Sequence, residues 1–305
     1  MRTNLFVIAI CLVIQTGYSQ EDSVYQINRY GTAAFTEIAT NPAFTGLEGR
    51  NVLDLSYELF HPGWWSIKQF KADYATSFGK KNRLGVGTYY FYEEIEYSKE
   101  HEFNASLAYK YIFNKKLDIN FGLSAITYYR MVTDLEKLRN GAADPNDPLL
   151  QGSKYINDRL DYNTGIWLNY QNLYFGFSFL DFFTIDLQGD NTEFFDENAS
   201  THINAGYDYS LNKKWHISPT LYILNVFGVN DLYEFGLFAD YSNLVFTGIT
   251  FRLKESISYD IIGFRCGVLL AKRIRLTAGY EFATDEDEIR HLDYDSWNFG
   301  LRLQY

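Results

Sequence analysis

The feature that most constrains this chain is a hydrophobic period of two, repeated from Val52 to the terminal Tyr305. In residues 83–92 the set Leu84, Val86, Thr88, Tyr90 and Tyr92 alternates with Gly85, Gly87, Tyr89 and Phe91. In residues 101–111 Phe103, Ala105, Leu107, Tyr109 and Tyr111 alternate with Asn104, Ser106, Ala108 and Lys110. Successive side chains of a strand point to opposite faces, so each segment predicts a strand with one apolar face and one small or polar face. The same pattern at 52–59, 67–76, 117–127, 160–168, 173–179, 202–211, 215–223, 232–241, 244–251, 259–269, 274–282 and 295–305 brings the count to fourteen. No helical segment of comparable strength competes with them.

The connections between these strands alternate in length. Short turns fall at 79–82, 114–116, 171–172, 212–214, 242–243 and 271–273, whereas the intervening connections are mostly longer, the longest spanning 129–158. A propeller or sandwich also needs many strands, but neither predicts such alternation along the whole chain. A transmembrane barrel does: short periplasmic turns, long outer loops, and an even strand number that leaves both chain ends on one side. Composition fits this reading. Aromatic residues make up 18% of the chain, with 26 Tyr and 25 Phe, yet the mean hydropathy is only −0.25. Amphipathic rings in such number suit the girdles at both membrane interfaces. The predicted fold is therefore an all-β, antiparallel transmembrane barrel over 51–305, preceded by a segment over 20–50 that either enters the lumen or lies in the periplasm.

The first residues have the form of a secretory signal: Arg2, an apolar run from Leu5 to Ile14, then small residues at Gly17 and Ser19. Residues 1–19 are expected to be removed, with cleavage between Ser19 and Gln20. No later stretch reaches the roughly 18 to 20 apolar residues of a spanning helix. Cys11 would leave with the signal, so Cys266 stands alone and no intramolecular disulfide is expected. The formal charge of −11 becomes −12 without Arg2, which argues against nucleic acid as a partner.

The chain closes on Asn298-Phe299-Gly300-Leu301-Arg302-Leu303-Gln304-Tyr305. Asn298, Gly300, Leu303 and the terminal Tyr305 have the spacing of a barrel-assembly signal, with Leu303 and Tyr305 on the lipid face and Arg302 and Gln304 on the other. Charge separates the two barrel ends. Acids that fall outside the strand cores are assigned to outer loops: Glu93, Glu94, Glu96, Glu100 and Glu102, then Asp181 to Glu197, then Asp285 to Asp295. Basic pairs mark the short turns, at Lys80-Lys81, Lys115-Lys116, Lys213-Lys214 and Lys272-Arg273. Such loops suit solubility and divalent-ion bridging to anionic surface lipid, or else a grip on a cationic or calcium-dependent partner. Candidate contact residues are Asp144 and Asp147 in the longest connection, Phe194 and Phe195, and Glu286, Asp287 and Glu288. No bound cofactor is expected.

Just ahead of the first strand stands Asn41-Pro42-Ala43-Phe44-Thr45-Gly46. Pro42 pushes Asn41 away from helix and Gly46 permits a tight reversal, so the segment is a turn, serving as a lumen plug or as a contact site. This Asn-Pro-Ala-aromatic-x-Gly signature resembles the PorP/SprF family of type IX secretion proteins, and the likeness extends over the strand pattern, Asp144-Pro145 and Asp147-Pro148, and the closing strand with Gly300 and Arg302. Where relatives often carry Arg-x-Gln-Trp after the first strand, this chain reads Tyr57-Glu58-Leu59-Phe60-His61-Pro62-Gly63-Trp64-Trp65. The resemblance implies an outer-membrane partner of the type IX and gliding machinery. Such a protein would assist export or surface attachment of cargo bearing a dedicated C-terminal domain, and connect to peptidoglycan-linked periplasmic components.

Catalytic signatures are sparse. The five histidines, His61, His101, His202, His216 and His291, have no zinc-ligand spacing. His216 with Ser218 shares a strand face as in an outer-membrane phospholipase, and His291 with Asp293 faintly resembles an outer-membrane protease. Three classes of function stay in view: a secretion and attachment component, a channel for small or hydrophobic solutes, and an outer-membrane hydrolase.

Overall fold

The computed structural model describes residues 37–47, 51–62, 66–79, 81–95, 98–132, 159–187, 192–194, 199–226, 231–242, 244–254, 261–270, 273–284 and 294–304. A short helix α1 (Glu37–Thr40) and a 3-10 turn (Pro42–Phe44) precede the strands. These are β1 (Val52–Pro62), β2 (Ile67–Phe78), β3 (Leu84–Ile95), β4 (Ser98–Ile112), β5 (Leu117–Val132), β6 (Arg159–Tyr170), β7 (Leu173–Asp186), β8 (Thr192–Phe194), β9 (Ser200–Tyr207), β10 (Tyr209–Ser210), β11 (Trp215–Val226), β12 (Leu232–Tyr241), β13 (Val245–Lys254), β14 (Ile261–Leu270), β15 (Ile274–Ala283) and β16 (Tyr294–Gln304). Every pairing is antiparallel, β16 joins β1, and β9 closes the ring by pairing both β7 and β11. The result is the predicted fourteen-strand barrel, with β8 as an extra strand. The segment expected at 202–211 is interrupted at Asp208, so β10 continues the course of β9 onto β11. No described helix is long and apolar enough to cross a membrane.

Polarity is inverted relative to a water-soluble fold. Outward positions carry large exposed apolar side chains such as Leu123 at 63%, Leu107 at 57% and Phe103 at 52%. Inward positions carry Asp161, Ser178, His202 and Ser296, each at 0% exposure. In hydrocarbon every strand edge must be paired, and ring closure achieves this. The outward apolar belt is then solvated by lipid tails while many inward polar groups bond one another, as Asn163 does Ser124 and Arg252 does Glu234.

At the short-turn end the sequence repeats one device. Asn114 Oδ1 accepts from the amides of Lys116 and Leu117 at 2.8 and 3.1 Å, and Asn212 Oδ1 accepts from those of Lys214 and Trp215 at 2.9 and 3.0 Å. An Asn side chain that mimics a backbone turn explains why Asn-Lys-Lys recurs there. The opposite end is uneven. Strand β5 runs past the start of β6 (Tyr128↔Arg159), and β7 continues through residues 181–186 beyond the start of β9 (Leu180↔Ser200), where β8 takes over as its neighbour. A tilted spanning strand needs about 9–11 residues, whereas β4, β5 and β7 have 15, 16 and 14. At this end β5 and β7 overhang β6 and β9, whereas β4 stays level with β3 (Ile95↔Ser98) and carries its extra residues at the short-turn end.

This corrects the assignment of several acids to outer loops. Glu93 and Glu94 belong to β3, Glu100 and Glu102 to β4, Asp181 and Asp186 to β7, Glu193 to β8 and Asp295 to β16. Glu100, Glu102 and Asp181 are buried inside the barrel. A polar residue at an inward position satisfies the alternation as well as a glycine does, so the strand continues through it.

Candidate functional site

Asn41 organises the segment before the first strand. Its extended backbone (φ −154°) caps the 3-10 turn, and its Oδ1 accepts from the Ala43 amide at 2.9 Å. Pro42 occupies the first turn position, where no amide donor is required. Phe44 N–H donates to Asn41 O at 3.0 Å, Thr45 N–H to Pro42 O at 3.2 Å, and Gly46 reverses the chain at φ +66°.

This turn lies in the lumen, against the wall formed by β3–β7. Asn41 Nδ2 donates to Ile166 O at 3.2 Å, Asn120 Nδ2 to Ala43 O at 3.2 Å, Thr45 Oγ1 to Ser106 Oγ at 2.9 Å, and Lys110 Nζ to Leu47 O at 3.1 Å. Ser178 Oγ donates to Thr40 O. Phe44 meets Trp167 edge-on, with ring centroids 5.0 Å apart, and Ala39 packs with Tyr89, Phe91, Ile126 and Tyr128. The approach is so close that glycine is required beneath it. A Cβ on Gly122 would lie 2.1 Å from Ala43 N, one on Gly165 2.2 Å from Asn41 Oδ1, and one on Gly85 2.1 Å from Thr45 O. Asn41, Thr40 and Ala43 are fully buried. Buried backbone must find partners, and here the barrel wall supplies them.

Across the lumen, β1 and β12–β16 carry an ionic array instead. Arg252 donates to Glu234 Oε2 through Nε at 3.1 Å and Nη2 at 3.0 Å, and its Nη1 lies 3.4 Å from Glu281 Oε2. Arg265 Nη2 is 3.3 Å from Glu281 Oε1, and Ser296 Oγ donates to Glu58 Oε1 at 2.6 Å. Arg302 pairs with Asp54 at 2.8 Å nearby. Arg252, Arg265, Glu234 and Glu281 are buried. Such groups are tolerated only because each charge faces an opposite one at hydrogen-bond range.

Asn298 and Gly300 lie on the inward side of β16, and Leu303 pairs in register with Leu53 and Ile274. Phe194 of β8 is 69% exposed and packs on Phe183 at 4.6 Å. Tyr305, Asp144, Asp147, Phe195, Glu286, Asp287, Glu288, His291, Asp293 and residues 1–19 lie outside the described residues. His216 and Ser218 do not bond each other: Ser210 Oγ lies 3.0 Å from His216 Nδ1, and Ser218 donates to Asp208 at 2.7 Å. A second Ser–His contact, unnoticed in the sequence, joins Ser200 Oγ to His202 Nε2 at 3.0 Å, with Tyr222 O–H 2.7 Å from His202 Nδ1. It is sealed in the wall and presents no nucleophile to solvent. Among the described residues no group of His, Cys, Asp or Glu is arranged to hold a metal ion. Sequence reasoning also missed the cradle of Gly85, Gly122, Gly165, Ser106, Asn120 and Ser178. Its signal was available, since small residues recur at inward parity in β3–β7.

The fold is shared with solved outer-membrane barrels. The CymD monoaromatic hydrocarbon channel matches at TM-score 0.55 and 11% identity, covering 92% of this chain and 93% of that one. The Pseudomonas putida toluene transporter TodX matches at 0.51 and 11%, covering 87% and 93%. The Acinetobacter baumannii outer membrane protein Omp33 matches at 0.51 and 11%, covering 86% and 100%. No curated protein matches by sequence. The model of the type IX secretion system membrane protein PorP/SprF matches residues 20–305, nearly the whole chain. With Asn41 to Gly46 placed and the barrel closed behind them, the chain belongs to the PorP/SprF family of type IX secretion system outer-membrane proteins.

Proposed function

We propose that this barrel is a non-enzymatic component of the type IX secretion and gliding machinery that helps secreted cargo proteins reach or stay on the cell surface. The observation that carries the reading is the division of the lumen. One wall is occupied by the chain's own backbone and the other by paired charges, so contact with a partner moves to the rim. There β5 and β7 run past the first residues of β6 and β9, and the longest connection, 133–158, springs from β5. In this reading the long connections face outside, with Phe194 as an apolar anchor and the acids of 285–288 steering the partner. The lysine turns at Lys115-Lys116 and Lys213-Lys214 face the periplasm, where peptidoglycan-linked components would meet them.

Deleting residues 144–150 and neutralising Glu286, Asp287 and Glu288 should leave the barrel folded and release cargo into the medium. Cargo that stays cell-attached at the parental level would remove the outer loops from the account. A channel for small or hydrophobic solutes is the second reading, favoured by the likeness to a hydrocarbon channel and a toluene transporter. Conductance or solute uptake by the purified barrel in a planar bilayer separates it from the first.

A further inference from the structure

On the outward face, where β2, β3 and β4 approach the long-connection end, three charged side chains stand side by side in register: Lys68↔Glu94 and Glu94↔Lys99. Lys68 Nζ lies 3.2 Å from Glu94 Oε1 and Lys99 Nζ 4.0 Å from Glu94 Oε2. Tyr92 O–H donates to the same carboxylate at 2.8 Å. One carboxylate thus serves two ammonium groups, and both lysine side chains remain open, at 46% and 36% exposure. Directly below them lies a cluster of rings. Tyr90 O–H lies 2.9 Å from His101 Nδ1, and the His101 ring sits 5.1 Å from Tyr92 and 6.0 Å from Tyr129. Amphipathic rings settle at the level of lipid headgroups, so the lysines stand just above the hydrocarbon, in the layer that holds lipid phosphates.

Elsewhere at this end, among the described residues, tyrosines meet carboxylates with no lysine beside them in the same contact. Tyr280 at the end of β15 donates to Asp295, and Tyr233 at the end of β12 donates to Asp231. Among the described outward residues of β2–β4, two ammonium groups thus share one carboxylate, on a chain whose formal net charge is −11.

We propose that Lys68 and Lys99 form a docking site for the phosphate of an anionic glycolipid of the outer leaflet, with Tyr90, Tyr92, His101 and Tyr129 as the surface against which its acyl region lies. The site faces lipid rather than the lumen or the loops. It rests on the reading that the short turns face the periplasm, and it is independent of cargo attachment.

The test is native mass spectrometry of the full barrel in nonionic detergent, titrated with phosphorylated lipid A, with lipid A stripped of phosphate, and with inorganic phosphate as competitor. A lysine at an anionic membrane surface contributes about five-fold in affinity, so Lys68→Gln with Lys99→Gln should weaken binding roughly twenty-five-fold. Glu94→Gln should strengthen it by freeing both ammonium groups. The stripped lipid should bind the parent no better than the phosphorylated lipid binds the double variant. The proposal is overturned if the double variant binds within two-fold of the parent, if Glu94→Gln weakens binding, or if the stripped lipid binds equally well. Displacement of the lipid by millimolar inorganic phosphate would make this a free-ion site and overturn the lipid assignment. So would loss of a secreted protein from cells carrying the double variant with lipid binding unchanged. The Glu94→Gln variant and the stripped lipid decide the matter even where the double variant folds poorly.

Discussion

Strands β3–β7 and strands β12–β16 look into the same lumen with different equipment. The first wall carries glycine, serine and asparagine beneath the turn and there holds main chain against main chain, as at Gly122 beneath Ala43. The second keeps its long side chains and neutralises Glu234 and Glu281 with Arg252 and Arg265. A barrel of this size encloses more space than its own inward side chains fill. One half of this molecule fills that space with a folded-in segment, and the other with charge pairs. The difference teaches where to expect fragility: steric on one side, electrostatic on the other.

The largest effect should come where the two halves are joined. Strand β16 lies between β15 and β1, and the sequence reading expects an assembly signal at its end. If Tyr305 acts as that signal's terminal aromatic, Tyr305→Asp should abolish accumulation of the heat-modifiable folded barrel in the outer membrane. Normal amounts of folded Tyr305→Asp barrel would show that assembly does not depend on it.

Within the charged wall, Arg252→Met removes the cation shared by two buried glutamates. Breaking a buried pair in this way costs about 3–5 kcal/mol. Arg302→Met breaks the more exposed pair with Asp54 and should cost about 1 kcal/mol or less. Urea unfolding in detergent reads the gap between the two variants. Equal losses would mean that the array does not act as a unit.

Within the glycine wall, Gly122→Val drives side-chain atoms into Ala43 and should cost about 1–3 kcal/mol by overpacking. Most of that cost should fall on the segment, because the barrel can keep its pairing by expelling residues 37–47. Limited proteolysis should then cut the segment while the barrel retains its folded mobility. Asn41→Ala is milder. It removes a turn cap and the bond to Ile166 O, a loss of about 1–2 kcal/mol. The same protease assay should detect slower release than in Gly122→Val, and no release at all would reduce Asn41 to a passive position.

The barrel was legible in the sequence because lipid outside and polar groups inside enforce alternation residue by residue. The placement of Asn41 to Gly46 was not, since a turn without strand period carries no record of which face it packs on. Inward acids were misplaced for a related reason. Glu100 and Glu102 keep the parity of Asn104 and Ser106, yet a charged pair near a strand end resembles the start of a loop. Asp181 adds a backbone irregularity, with φ +53° next to a register shift between Tyr162 and Thr164. That shift is invisible in a pattern of apolar residues. The array on β12–β16 left its arginines and glutamates in plain view. Only the strand register brings Arg252 beside Glu234.

The central claim is that the family motif lies inside the barrel against β4–β7, and cross-linking tests it most directly. In a Cys266→Ser background, Thr45→Cys with Ser106→Cys joins two positions whose hydroxyls lie 2.9 Å apart. Thr45→Cys with Thr250→Cys pairs the motif with the opposite wall. Oxidation of folded barrel in native membranes should close a disulfide in the first pair, seen as a reducible mobility shift, and none in the second. A folded first pair that stays fully reduced, or a disulfide formed only in the second, would contradict the lumenal placement.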